Sequence, residues 1–245
     1  MRLIRVYVAG PLAPAARVQV TGAAAAHVTR VLRLGAGDAV TLFNGDGHDY
    51  PARIADLQPG VVTAAIEGVA AARPESPLTV TLVQGIARAE RMDLVVQKAT
   101  ELGVSAIQPV VTARGVVRLN AESAAKKLTH WQGIAIAACE QSGRARLPTL
   151  EAPLSLHDWL QRPARANVLR VQLAPGATVA LARAAAGASA IELLVGPEGG
   201  LDPTEQEAAE RAGYHACHLG PRVLRSETAA LAALAVLQAT AGDFR

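Results

Sequence analysis

Hydrophobic residues fall into two regimes along the chain. Up to residue 72 they come in short runs, Leu3–Val8, Val18–Val20, Ala39–Phe43 and Val61–Val69, broken by turn-forming groups such as Gly35-Ala36-Gly37-Asp38 and Asn44-Gly45-Asp46-Gly47. One stretch, Ala23 to Leu34, reads as a helix and carries His27, Arg30 and Arg33. Short strands at this spacing predict a small β-barrel, which closes its own sheet edges. Arg73-Pro74-Glu75-Ser76-Pro77 follows, and its two prolines favour an extended connector. The pattern divides the chain into a β domain over 1–72, a linker over 73–77 and a second domain over 78–245.

From Leu78 the pattern changes. Leu78–Val83 alternates as a strand, and Met92, Val95, Val96, Ala99 and Leu102 follow a helical period closed by Gly103 as a left-handed cap. Val104–Val111 reads as a strand and Ala121–Ser142 as a long helix with Leu128, Trp131, Ala135 and Ala138 on one side. A strand Ile191–Val195, a helix Pro203–Ala212, a strand Tyr214–Leu219 and a helix Glu227–Ala241 complete the series. Strands alternating with helices predict an α/β fold with an open, largely parallel sheet. The last helix has no charge from Thr228 to Gly242, and Gln238 and Thr240 are nearly its sole polar residues. A helix apolar all round is buried on most sides, so a second copy of the chain is expected to cover part of it.

Composition sharpens this only in part. The chain has 245 residues, 51% hydrophobic and 18% charged, which excludes disorder. Of its 24 basic residues only Lys98, Lys126 and Lys127 are lysines, a bias that a GC-rich genome accounts for. The net charge of +3 is too small to demand a nucleic-acid partner. Its distribution says more: Arg2, Arg5, Arg17, Arg30 and Arg33 all precede the first acid, Asp38. Such a segment suits a phosphate-facing surface, and scattered strand-face arginines are the equal alternative. Cys139 and Cys217 show no metal-ligand spacing, so neither a metal site nor a disulfide framework is expected, and a reduced, cytoplasmic setting is. Arg5 interrupts any signal-peptide core, and the run Thr228–Gly242 is too short to span a bilayer, so no membrane partner is expected.

In open α/β sheets ligands bind beyond the carboxyl ends of strands. Two loops there stand out. Gly196-Pro197-Glu198-Gly199-Gly200-Leu201 leaves the strand Ile191–Val195, and Asp202, Pro203 and Glu205 then spell the start of a capped helix. Leu219-Gly220-Pro221-Arg222-Val223-Leu224-Arg225-Ser226-Glu227-Thr228-Ala229 brings two arginines, a carboxylate and two hydroxyls together after a second Gly-Pro turn. Neither GxGxxG nor GxxxxGK[ST] occurs where a nucleotide-phosphate loop would need it. Two such turns at neighbouring strand ends point to one shared site.

These two loops, with His27-Val28-Thr29-Arg30-Val31-Leu32-Arg33, Asp93 to Val104 and Trp131 to Arg144, resemble the RsmE-type ribosomal RNA methyltransferases of the SPOUT superfamily. The resemblance runs in one order from the first residues to the last. It implies S-adenosylmethionine as cofactor, N3 of one uridine in 16S rRNA of the small ribosomal subunit as acceptor, and a homodimer. It also implies a PUA-like RNA-binding β-barrel followed by a SPOUT-type domain tied in a deep trefoil knot. Carried over by motif, the cofactor positions are Leu194, Gly196, Glu198, Gly199, Leu219, Gly220, Leu224, Thr228 and Ala229.

Uracil N3 is protonated at neutral pH, so methylation there needs a base or stabilisation of the uracil anion. Arg225, Arg222 and Arg144 are the candidates for holding negative charge or phosphate. Glu198, Glu140 and Glu227 are candidate bases, and each could equally orient an arginine. Arg2, Arg5, Arg17, Arg30, Arg33 and Arg114 are the expected RNA contacts. Two stretches depart from the family pattern. Thr112-Ala113-Arg114-Gly115 keeps the arginine of that pattern but has Ala113 where an acid is common, and Leu173-Ala174-Pro175 lacks a frequent polar residue. A non-catalytic RNA-binding assembly factor is the alternative function.

Overall fold

The computed structural model describes residues 4–88, 90–115 and 120–244, so Arg2 lies outside the described residues. The chain packs as two units, one of residues 1–75 with 136–147, the other of residues 76–135 with 148–245. The sequence pattern put 78–245 in one domain. The last turns of the long helix and the segment after it instead pack with the β-rich unit.

In the first unit β1 (Arg5–Tyr7), β2 (Arg17–Thr21), β3 (Ala39–Phe43), β4 (His48–Gln58), β5 (Val61–Ile66) and β6 (Ala70–Ala71) form a sheet in the order β1-β3-β4-β5-β2, with β6 beside β4. Alternate residues face its core, including Val40 and Leu42, Tyr50, Ala52 and Ile54, and Val62, Ala64 and Ile66. Among the described residues no ladder joins β1 to β2, so the expected closure of the sheet edges is not made by strand pairing. The helix expected over Ala23–Leu34 is shorter and mixed. It runs as α1 (Gly22–Ala26) into a π-helical turn, His27–Val31, where the Leu32 amide donates to the His27 carbonyl at 2.9 Å. Thr29 turns its hydroxyl back onto the Ala25 carbonyl at 2.9 Å, and Arg33 ends the turn at φ 54°.

The second unit contains β7 (Thr79–Gly85), α2 (Glu90–Glu101), β8 (Ala106–Val111) and the start of α3 (Ala121–Ser142). It continues with β9 (Thr149–Leu150), β10 (Leu154–Ser155), α4 (Leu156–Leu160), β11 (Leu169–Leu173), β12 (Val179–Ala180) and α5 (Leu181–Ala184). It ends with β13 (Ala190–Val195), α6 (Pro203–Arg211), β14 (His215–His218) and α7 (Ser226–Ala241). Its strands pair in parallel in the order β10-β8-β7-β13-β11-β14-β12, with β9 beside β8. Both sheet faces are covered, as a parallel sheet requires. Val80, Leu82, Ile191, Leu193 and Val195 pack with α2, α5 and α7, whereas Val83 and Leu194 point the other way, towards α4 and α6.

Two buried polar groups fix this packing. Gln238, the polar exception in α7, is fully buried and donates to the Leu102 carbonyl at 2.9 Å while accepting from the Ser76 hydroxyl at 2.7 Å. It thereby satisfies a carbonyl at the end of α2, next to Gly103 (φ 80°). On the other face Arg170 pairs with Glu192 at 2.8 Å, with side chains 6% and 3% exposed, and Tyr214 donates to the same carboxylate at 3.0 Å. Burial pushes the Tyr214 phenol far above its usual range, and the Glu192 charge adds to the effect, so it stays a proton donor. Arg170→Met strands the Glu192 charge and is expected to cost about 3–5 kcal/mol, seen as a lower urea midpoint. Adding Glu192→Leu should restore part of the loss. A single variant as stable as the native protein would show that the ion pair contributes nothing.

Candidate active site

The loops after β11, β13 and β14 enclose one cavity of about 450 Å³ in the second unit. Its walls come from Leu173–Pro175, Val195–Gly200, Cys217–Gly220, Arg222–Ser226 and Ala229 in the first turn of α7. This is the carboxyl end of the sheet, where β13 lies between β7 and β11 although both precede it in sequence.

The glycine loop is positioned from below by close backbone packing. A Cβ on Gly85 would lie 2.5 Å from the Pro197 nitrogen, so only glycine at the end of β7 lets the loop sit there. The Ser226 hydroxyl donates to the Gly196 carbonyl at 2.6 Å and accepts from the buried Gln84 amide at 3.0 Å. Ser226 is the first residue of α7. Arg225 is the N-cap residue, and the serine ties the two Gly-Pro loops together.

Charged groups brace the same loop from outside. Glu198 accepts from the Arg88 amide at 3.2 Å and from Arg91 at 3.1 Å, and Arg91 also lies 3.8 Å from Glu227. Burial pushes the Glu198 pKa up, but hydrogen bonds from its own amide and that of Arg88, with the Arg91 guanidinium, outweigh this and hold it below the ordinary value. Such a carboxylate is a poor proton acceptor. Arg114 donates to the Gly199 carbonyl at 3.3 Å, and Asp202 and Glu205 complete the expected capping box of α6. Glu205 also accepts from the Ala113 amide at 2.7 Å, so a carboxylate from another element reaches the stretch that has lost its own.

At the mouth Arg222 and Arg225 are exposed, with no acidic partner among the described residues, and flank Val223, which is 81% exposed. Lower down, His218 accepts at Nδ1 from the Gly220 amide at 2.9 Å, fixing a turn in which Gly220 has φ 111°. The site therefore offers apolar walls from Val195, Leu219, Leu224 and Ala229, backbone opened by glycines, and unpaired guanidinium charge at its entrance.

A family model described as an RNA methyltransferase domain matches residues 74–238, and one described as an RNA methyltransferase PUA domain matches residues 20–67. This chain belongs to the RNA methyltransferase family. Among curated relatives of the family, ribosomal RNA small subunit methyltransferase E of Bacillus subtilis is 31% identical over 89% of this chain and 88% of its own. Two solved structures match along all of both chains. One, a methyltransferase from Legionella pneumophila with bound cofactor SAM, has 38% identity and a TM-score of 0.94. The other, ribosomal RNA small subunit methyltransferase E from Neisseria gonorrhoeae bound to S-adenosyl methionine, has 37% identity and a TM-score of 0.92.

Of the positions carried over from the family motifs, Gly196, Glu198, Gly199, Leu219, Gly220, Leu224 and Ala229 line the cavity, as do Arg222 and Arg225. Leu194 does not, because strand alternation turns it towards Val83, Trp159 and Tyr214 while Val195 faces the site. Thr228 is exposed on α7 and is not part of the lining either. Arg144 belongs to the first unit, is 12% exposed and pairs with Glu75 at 2.7 Å. Glu140 accepts the Tyr7 amide at 2.9 Å in that unit. Arg5, expected on an RNA-facing surface, is 3% exposed and bonded to Asp49 at 2.6 Å, a structural ion pair. Arg17, Arg30 and Arg33 are exposed, and Arg114 supports the glycine loop. Sequence reasoning passed over Gln84, Gly85, Arg91 and His218. A Gln-Gly pair ending an apolar strand is a usable signal for the first two, whereas nothing in the sequence marks Arg91. No group of residues suited to holding a metal ion occurs among the described residues.

Ser226→Ala leaves the Gly196 carbonyl and Gln84 amide short of a partner and should cost about 1–3 kcal/mol in chemical unfolding. No loss would show that the loops hold together without it. Because the Glu198 pKa is lowered on folding, its contribution is present above the ordinary carboxylate pKa and disappears as pH falls through the folded value. Glu198→Gln should therefore be less stable than the native chain at neutral pH, and the gap should narrow below pH 4.5. A pH-independent gap would count against the Arg91 contact as its source.

Proposed function

We propose that this chain methylates N3 of one uridine in 16S rRNA, using S-adenosylmethionine as methyl donor and the small ribosomal subunit as substrate. The observation that carries this is the cavity of about 450 Å³ in which both Gly-Pro loops meet beneath two unpaired arginines. Its size falls within the range of small-molecule sites, roughly 300–1,000 Å³. The solved Legionella and Neisseria relatives hold S-adenosylmethionine. The apolar walls suit an adenine ring, and the glycine-opened backbone at Gly196, Gly199 and Gly220 suits the polar groups of the same molecule.

When bound, the cofactor supplies a methyl group on a sulfonium, open to in-line displacement. The chain's own part is placement and electrostatics. Arg222 and Arg225 stabilise the uracil anion or grip the adjoining phosphate. Glu198 braces the loop through Arg91 rather than taking a proton, and the proton of N3 passes to water at the exposed mouth. The β-rich unit, with Arg17, Arg30 and Arg33 exposed, serves as the RNA-binding module.

The deep trefoil knot belongs to the same proposal. It is supported by the match of residues 74–238 to the RNA methyltransferase domain and by the resemblance of the two Gly-Pro loops to the SPOUT pattern. A homodimer is supported by Leu231, Ala232, Ala235 and Val236, which α7 leaves only half-buried within one chain. The cytoplasm is the setting that a ribosomal substrate requires. No described helix is long and apolar enough to cross a membrane.

The test is transfer of labelled methyl groups to assembled small subunits and to naked rRNA, followed by mapping of the product nucleoside. N3-methyluridine at one 16S position is expected. Absence of label, or label on ribose or another base, would overturn the proposal. Arg225→Ala should lower turnover by about 10²–10³-fold with thermal unfolding unchanged. Undiminished turnover would remove Arg225 from the chemistry.

A further inference from the structure

We infer that the first unit carries a second RNA contact, a phosphodiester-binding crevice built around Arg73 and Arg146. The inference rests on the proposed rRNA substrate but on none of the residues that line the methyl-transfer cavity. The segment after α3 folds against the turn between β3 and β4, where the Gly47 amide donates to the Ala145 carbonyl at 3.2 Å. Between this contact, β6 and the connector Ala72–Glu75 lies a crevice of about 210 Å³, lined in part by Gly47, His48, Arg73, Glu75 and Arg146.

Its charge balance is positive. Glu75 is the one acid among the lining residues, and it is already held by Arg144 at 2.7 and 3.0 Å. Nearby Asp46 accepts from the Tyr50 hydroxyl at 2.6 Å and from the His48 amide at 2.8 Å. Arg73 and Arg146 are exposed, and neither has an acidic partner among the described residues. Two free guanidinium groups on one narrow crevice match the oxygens of a phosphodiester.

Arg146 also lies close to the turn between β3 and β4. A Cβ on Gly47 would lie 2.9 Å from its Cζ, Nε and Nη2 atoms, so the guanidinium lies against bare backbone that only glycine leaves free. The stem of Arg73 runs alongside Gly143, where a Cβ would be 4.0 Å from its Cδ and Nε. The connector over 73–77, which sequence marks only as a linker, thus supplies one of the two charges.

Salt dependence of binding tests this directly. Each phosphate contact contributes about 0.7 (single strand) to 0.9 (duplex) to the slope of log affinity against log salt. For the full-length Arg73→Gln/Arg146→Gln variant binding small subunits, loss of that one phosphate contact should shrink the slope by roughly 0.7–0.9. Its KM for subunits should rise while turnover at saturation and thermal unfolding stay unchanged. The Arg183→Gln/Arg211→Gln variant removes the same charge from exposed positions of the second unit and should keep the native slope. Equal loss in both variants, or a native slope in the first, would overturn the inference. So would loss of inorganic phosphate binding, measured calorimetrically, with RNA binding intact, since the crevice would then serve free phosphate. Failure of the native protein to methylate subunits at all is a separate result and would count against the proposed function instead.

Discussion

The hydrogen bond from the Ser226 hydroxyl to the Gly196 carbonyl, at 2.6 Å, joins two segments that must meet for the cavity to exist. Each is a loop leaving a parallel strand, and neither has secondary structure of its own to hold it. Gln84 extends the link into the sheet by donating to the same hydroxyl, and Gly85 makes room for Pro197 directly above. One small hydroxyl thus sets the separation of the loops, and the sheet below sets their height. Most backbone polar groups in such loops need partners, and here a side chain supplies one where no ladder can reach.

Carboxylates in this site act chiefly as braces. Glu198 fixes Arg91 and the Arg88 amide, Glu205 fixes its own helix and the Ala113 amide, and Glu227 faces Arg91 from α7. The cationic groups at the mouth, Arg222 and Arg225, are left without such partners among the described residues. A site that stabilises negative charge in its ligand works best when its arginines are unpaired and its acids are already occupied. The division of labour agrees with the lowered pKa of Glu198, which suits an ion-pair partner better than a proton acceptor.

Much of this was legible in the residues. Asp202-Pro203 and Glu205 marked the start of α6, Gly103 the end of α2, and the two Gly-Pro turns the site itself. Local chemistry decides such features, and sequence displays it. Less visible was β4, because Pro51 and its charged residues break the alternation that Tyr50, Ala52 and Ile54 keep towards the core. The short elements β9, β10 and β12 owe their form to neighbours distant in sequence. Arginine roles were hardest to read. Arg5 and Arg144 are paired within the first unit, and Arg114 supports a loop, because partners such as Asp49, Glu75 and the Gly199 carbonyl lie far away along the chain.

Helices α2 and α7 touch at both ends, through Arg91 and Glu227 near the cavity and through Leu102 and Gln238 at the far end. They therefore run side by side in the same direction, although the residues of α7 follow those of α2 only after most of the sheet has been made. A ribosome delivers residues in chain order. The nascent protein can hold its β-rich segment and most of its sheet while the wall from Cys217 to Ala229 is still unmade. The wall from Cys217 to Ala229, and with it the completed cavity, is therefore delivered after the other two walls.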